Sequence, residues 1–150
     1  MKKIVFVLAA LIVIGTSLNL YLNREGVKVI DGHGNKWTAS VIVDRLPLSE
    51  SSKIEWWLQN KESIVAKYHF KPDNPADRLT YYIYSFGDGY QEEENEDRLC
   101  FEDMKPPKNC IDKNLLMVVS KTRNGDTEFR FDNAVYIRNK EGQIYQSEEE

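Results

Sequence analysis

An apolar N-terminal segment limits the folds open to this chain more than any other feature. Residues 4–22 contain no charged side chain, and Lys2 and Lys3 stand directly before them. As an α-helix, such a run extends about 28 Å, close to the ~30 Å hydrocarbon thickness of a bilayer. The sequence therefore predicts a transmembrane anchor. A buried core helix of a cytosolic protein is disfavoured, because packing does not explain the terminal lysines.

A cleaved secretory signal is the alternative interpretation of this segment. Its apolar region would be residues 4–14, followed by a small-residue cleavage site at 15–17 that lacks the preferred alanines. In both cases the two lysines favour an N-terminus that stays inside the cell. We therefore divide the chain into an anchor or signal, residues 1–24, and an exported domain, residues 25–150.

The composition of the exported part suits one acidic domain. The chain has 150 residues and a formal net charge of −4; beyond the apolar segment, residues 23–150 contain 18 basic and 24 acidic residues, which gives −6. A surface of that sign repels nucleic acid and anionic lipid head groups. Nucleic acid is therefore not an expected partner.

The chain has two cysteines, Cys100 and Cys110. Their spacing is not the Cys-x-x-Cys of redox motifs, and a zinc site would need both His33 and His69, which are distant in sequence. In the oxidising space that the N-terminus predicts, a disulfide is the default. Closing a loop of this length stabilises a domain by about 2.5–3 kcal/mol in the chain-entropy model. No cysteine precedes Cys100, which excludes a lipid-anchored lipoprotein.

The first part of the exported domain predicts a hairpin and then a helix. Two runs of β-formers flank a glycine-rich stretch, residues 31–35, which we interpret as the turn, with His33 exposed at its tip. Serines at 49–52 are N-cap candidates, and Ser52 with Glu55 fits a capping box. An amphipathic helix is expected to follow.

Two neighbouring tryptophans lie on this helix. Trp57 falls on the apolar stripe and should face the sheet, whereas Trp56 lies about 100° round the helix. We expect Trp56 to be partly exposed and to contact a partner. The competing interpretation is that both tryptophans pack in the core.

The rest of the domain predicts strands. Residues 79–86 are apolar or aromatic on both faces, which is typical of an interior strand. A second hairpin should turn at residues 123–126, which include Asn-Gly, and a short strand is expected at Ile144 and Tyr145. The predicted fold is α+β: a transmembrane helix, then a small antiparallel β-sheet domain with one packed helix and one disulfide loop.

Catalytic and metal-binding motifs are absent from the sequence. There is no Gly-x-Ser-x-Gly, Walker loop or His-Glu-x-x-His. Asp88, with Asp97, Glu102 and Asp103, could form a paired-carboxylate site, but turn and loop roles explain these residues more simply. The acidic segment at 91–97 lacks the ligand pattern of an EF-hand. We therefore predict no enzyme activity, cofactor or metal.

Several segments together resemble a known family. They lie behind the Lys-Lys apolar N-terminus and read WWLQN at 56–60, FGDGY at 86–90, DRLCFEDM at 97–104 and NCI at 109–111. This set resembles an enterobacterial family of small inner-membrane proteins described only as a domain of unknown function. The resemblance implies a Gram-negative source and a single-pass inner-membrane protein with its C-terminal domain in the periplasm. It implies no catalytic residues.

The resulting hypothesis is a tethered periplasmic domain that binds a protein, such as an immunity protein that neutralises a basic toxin from competing bacteria. A structural or accessory envelope protein is the alternative, and an enzyme acting on envelope material is the weakest hypothesis. The candidate partner contacts are Trp56, Asp88, Tyr90, Glu92, Glu93 and Glu94.

Overall fold

A computed structural model describes residues 1–24, 26–74 and 78–148, without the side chains of residues 19–24. This part of the chain forms two helices and nine strands. They are α1 Lys2–Arg24, β1 Val29–Gly34, β2 Thr38–Val43, α2 Glu50–Tyr68, β3 Thr80–Ser85, β4 Arg98–Cys100, β5 Cys110–Asp112, β6 Leu115–Lys121, β7 Thr127–Arg130, β8 Val135–Arg138 and β9 Ile144–Ser147. The α+β class is confirmed.

Helix α1 presents its apolar side chains to the outside. Ten large apolar side chains between residues 4 and 18 are each more than half exposed. Among the described residues, no helix reaches the combined length and apolarity of a membrane span. The predicted anchor at residues 4–22 thus stays a prediction, and its last side chains, like the domain boundary at residue 25, lie outside the described residues.

Seven strands form one sheet in the order β1-β2-β3-β6-β7-β8-β9. All neighbours pair antiparallel except β2 and β3, which are parallel. Helix α2 connects these two strands and carries the chain back to the starting edge, as a parallel pair requires. The prediction of a wholly antiparallel sheet is wrong at this pair.

The first hairpin exists, but its predicted turn is wrong. The glycine-rich stretch is strand β1 itself, and the chain turns after it, where the side chain of Asn35 accepts hydrogen bonds from the amides of Trp37 and Thr38. A Cβ on Gly32 would lie 2.6 Å from the Tyr68 ring. Glycine at this position therefore permits the aromatic ring to pack against the strand. Gly34 has the same role, because a Cβ there would lie 2.8 Å from the Phe70 ring.

Helix α2 begins at Glu50, two residues before Ser52, where the predicted capping box starts. Ser49 is the N-cap, and its hydroxyl accepts from the amide of Ser52. Trp57 is 1% exposed, as predicted, but Trp56 is also buried, at 9%. The buried face of the helix is wide enough for both indoles, so the expected exposure of Trp56 is wrong.

The central strands are covered on both sides. On the α2 side, Val41 and Ile83 join the main core with Trp57. On the other side, Ile42 packs against Phe101 and Ile111 in a second, smaller cluster. The prediction that β3 is an interior strand is confirmed.

The second hairpin, β6 with β7, and the short strand β9 are also confirmed. The segment after the turn of the second hairpin forms two strands, β7 and β8. It turns at residues 131–134, where the amide of Phe131 donates to the carbonyl of Ala134. Strands β6 to β9 are therefore an antiparallel meander.

Candidate functional site

The disulfide hairpin, residues 98–112, lies on the sheet face opposite α2. Cys100 and Cys110 are register partners in β4 and β5 and form the predicted disulfide. Within the loop that they close, the amide of Phe101 donates to the carbonyl of Asn109, whose side chain donates back to the Phe101 carbonyl. The hairpin is thus a small closed unit.

Backbone hydrogen bonds join this hairpin to the segment before it. The amide of Gln91 donates to the Cys110 carbonyl at 2.7 Å, and the Cys110 amide donates back at 3.0 Å. Gln91 directly precedes the acidic loop, which we define as residues 92–97, and Arg98 directly follows it. Both ends of the acidic loop are therefore fixed on one platform.

His33 connects this platform to the edge strand of the sheet. Its Nδ1 lies 2.8 Å from both carboxylate oxygens of Asp103, and its Nε2 lies 2.9 Å from the Tyr90 hydroxyl. That hydroxyl donates to Asp31 at 2.5 Å. The imidazole stacks on Phe101 with 3.9 Å between ring centres and is 8% exposed. These contacts pin β1 to the disulfide hairpin.

The hydrogen-bond pattern fixes the roles of the two ring nitrogens. Tyr90 has one hydroxyl proton and donates it to Asp31, so its oxygen accepts from Nε2 of His33. An ionised Asp103 only accepts, so Nδ1 donates to it. Both ring nitrogens of His33 are therefore used in hydrogen bonds inside the molecule.

Tyr90 is held in its neutral form. Burial, the hydrogen bond to Asp31 and the negative charges of Asp31 and Asp103 raise the pKa of its phenol well above the usual value. Its ring also packs edge-on against Phe86. The tyrosine is therefore a neutral donor in the network over a wide pH range.

A cavity of about 430 Å³ opens beside this network, between β1, β2 and the disulfide hairpin. His33, Ser40 and Asp103 contribute polar atoms, and Leu99 and Phe101 contribute apolar surface. Both ring nitrogens of the histidine are already engaged, so it has no free lone pair to act as a base in this arrangement. Among the described residues, no group of three His, Cys, Asp or Glu side chains is arranged to hold a metal ion.

All side chains of the acidic loop are exposed. Arg98 at its base is 8% exposed and bonds Asp112 at 3.0 Å, Glu96 at 3.2 Å and, more loosely, Glu94 at 3.7 Å. The hydrogen bond to Asp112 is the main reason that the pKa of Arg98 is raised. One buried guanidinium thus orients the base of the loop and leaves most of its carboxylates facing solvent.

The structure separates the predicted partner contacts into three groups. Asp88, Glu92, Glu93 and Glu94 are exposed, as a contact surface requires. Tyr90 is half-buried and its hydroxyl is used inside the molecule. Trp56 belongs to the core; the exposed tryptophan is Trp37, at 56%.

Sequence reasoning missed the network around His33. The sequence offers Asp103 as one carboxylate of a possible paired site, or more simply as a loop residue, and it predicts His33 as an exposed histidine at a turn. A signal was available: Asp31, Gly32, His33 and Gly34 alternate polar side chains with glycine. That period of two predicts a strand with one polar face and one bare face.

Comparison with known proteins identifies the family. A family model described as "Enterobacterial putative membrane protein (DUF943)" matches residues 1–148. The chain belongs to this family. The match covers both the apolar N-terminus and the disulfide hairpin, and it confirms the resemblance noted in the sequence. No curated protein and no solved structure matches the chain significantly.

Proposed function

We propose that the protein is a membrane-tethered periplasmic binding module that recognises a basic protein through its acidic loop. The observation that carries the proposal is that this exposed loop is fixed at both ends, by Gln91 to Cys110 and by Arg98 to Asp112. Fixed ends lower the entropy lost when a loop binds. Carboxylates on a fixed surface also speed encounter with a partner of opposite charge.

Two observations support the proposed location. The exposed side chains between residues 4 and 18 of α1 form a large apolar surface, which is unfavourable in water. A lipid bilayer would remove this surface from water. The disulfide between Cys100 and Cys110 is typical of an oxidising compartment. Together with Lys2 and Lys3 before the apolar run, they support a single-pass inner-membrane anchor with the domain in the periplasm.

The chemistry of the site favours binding over catalysis. Both ring nitrogens of His33 are used in hydrogen bonds, to Asp103 and to Tyr90, and the two cysteine sulfurs form a disulfide. The residues of this site therefore stabilise the platform. The neighbouring loop, in contrast, has carboxylates such as Glu92 and Glu93 that face solvent.

A photocrosslinking experiment tests the proposal in enterobacterial cells. The full chain carries a photoreactive phenylalanine analogue at Glu93, with the same analogue at exposed Glu141 as the control position. We expect a crosslink to a basic protein from position 93 only. Charge reversal by Glu92→Lys and Glu94→Lys should abolish it, while the matched pair Glu62→Lys and Glu141→Lys should not.

The same crosslink distinguishes the finer hypotheses. If the domain is an immunity protein, the crosslink appears only in co-culture with a competing strain that delivers the toxin, and the chain protects its host there. If it is an accessory envelope protein, the crosslink appears in monoculture and is lost when residues 1–24 are exchanged for an unrelated anchor. A crosslink of unchanged yield in the variant with Glu92→Lys and Glu94→Lys would contradict recognition by the acidic loop.

A further inference from the structure

A second cavity, of about 200 Å³, lies on the α2 side of the sheet, opposite the disulfide hairpin. Its floor is apolar. Tyr81 of β3 and Val119 of the neighbouring strand β6 form this floor together with Leu79, which directly precedes β3. Leu79 and Val119 are buried members of the main core. The cavity is thus a shallow extension of the core that is open to solvent.

Three cations from separate elements surround this floor: Lys61 on α2, Arg78 just before β3, and Lys121 at the end of β6. The groups that these three cations contact are neutral. A guanidinium nitrogen of Arg78 donates to the carbonyl of Thr122 at 2.9 Å, and Nζ of Lys121 donates to the hydroxyl of Thr127 at 2.8 Å. Nζ of Lys61 lies 5.9 Å from the centre of the Tyr81 ring.

These cations lie together, and none of the described residues that line the cavity is a carboxylate. Within the described part of the chain, none of the three forms an ion pair. Burial and the positive charges of Lys61, Arg78 and Arg138 lower the pKa of Lys121, and Asp126 opposes this effect only in part. Such mutual repulsion is unusual in a chain with four more acidic than basic residues, and an anion bound between the cations would relieve it.

We propose that this cavity binds a small amphipathic carboxylate, with its charged head between Arg78 and Lys121 and its apolar part on Leu79 and Val119. The volume is below the roughly 300–1,000 Å³ of sites for drug-sized ligands, so the ligand is correspondingly small. Apolar lining with a few convergent polar groups is the usual composition of small-molecule sites. The proposal is independent of the acidic loop, which lies on the other sheet face.

The test is an NMR titration of the full chain in detergent micelles with hexanoate. We expect saturable shifts of the amide resonances of Lys121 and Thr127. Hexylammonium, which has the same chain length and the opposite charge, should cause no such shifts. Inorganic phosphate, which lacks the apolar part, should bind at least about tenfold more weakly.

Variants locate the binding. Arg78→Gln and Lys121→Gln should each weaken hexanoate binding about tenfold or more, because each removes a hydrogen bond to the charged carboxylate. Lys36→Gln, at an exposed lysine outside this cavity, should leave affinity unchanged. An unchanged amide spectrum of each free variant verifies its fold. The proposal is overturned if hexanoate causes no shifts there, if hexylammonium or phosphate matches it, or if Lys36→Gln weakens binding as much as Lys121→Gln.

Discussion

The main sheet with α2 and the disulfide hairpin are stabilised by different forces. Trp57, Ile83 and Phe129 belong to a continuous apolar core under the helix. The hairpin buries mainly Phe101 and Ile111, and depends otherwise on one covalent bond and on hydrogen bonds to charged groups. Damage to the first region should therefore unfold the domain, whereas damage to the second should release the hairpin and the loop that it carries.

The largest effect is expected from Trp57→Ala in the main core. Removing a large aromatic side chain from a buried site costs about 3–5 kcal/mol, a large share of the stability of a small domain. Urea unfolding of the full chain in mild detergent, followed by tryptophan fluorescence, measures the loss. Leu58→Ala, at a partly exposed position on the same helix, is the control and should cost much less. Equal losses would contradict the assignment of the core.

The next effect is expected from replacing both Cys100 and Cys110 by serine. Opening the loop should cost about 2.5–3 kcal/mol, mainly because the unfolded chain gains freedom. Hydrogen exchange of the backbone amides shows which region loses stability. Exchange should accelerate in residues 98–112, while the amides of β6 and β7 stay protected. Acceleration spread evenly over the sheet would show that the hairpin is part of the main cooperative unit.

A smaller effect is expected from Asp103→Asn. The change removes a charged acceptor from His33, and because Asp103 is itself 56% exposed we expect a loss of only about 1 kcal/mol. The NMR signals of the His33 ring should shift, together with amide signals of β1. Glu102→Gln, at the adjacent exposed residue, should leave both unchanged. If the two variants behave alike, the contact between His33 and Asp103 does not hold the hairpin.

The smallest effect at neutral pH is expected from Tyr90→Phe, but this variant changes the pH dependence. The pKa of Tyr90 is raised in the folded state, whereas the pKa of a tyrosine in the unfolded chain is about 10. Below that pH both states keep the proton; above it the unfolded state loses its proton first, so the stability of the native chain falls as pH rises. The variant lacks this contribution, so its stability should fall less steeply above pH 10. Parallel curves would contradict a buried, neutral Tyr90.

Local patterns predicted the features that depend on neighbouring residues. The disulfide followed from compartment and spacing, the second hairpin from Asn-Gly at its turn, and the interior position of β3 from its two apolar faces. Each of these signals can be read without knowing which distant segments are in contact. They were therefore visible in the sequence.

The errors have a common physical origin in contacts between distant segments. The glycines of β1 resemble a turn because the rings that require them, those of Tyr68 and Phe70, come from the end of α2 and from the segment just after it. The prediction of an exposed His33 is wrong because its partners Tyr90 and Asp103 lie 57 and 70 residues away in the sequence. The parallel pairing of β2 and β3 likewise depends on how α2 crosses the sheet, which local patterns do not specify.

The central claim is that an exported domain carries its acidic loop on a disulfide-closed hairpin. The most direct measurement is the thiol state of Cys100 and Cys110 in the full chain from enterobacterial cells, trapped with a maleimide reagent before lysis, together with protease access to the domain in spheroplasts. If the domain is exported, the maleimide reagent should not label Cys100 or Cys110 unless a reductant is added. The protease should then digest the domain once the outer membrane is opened. Two free thiols in a domain protected from the protease would contradict it.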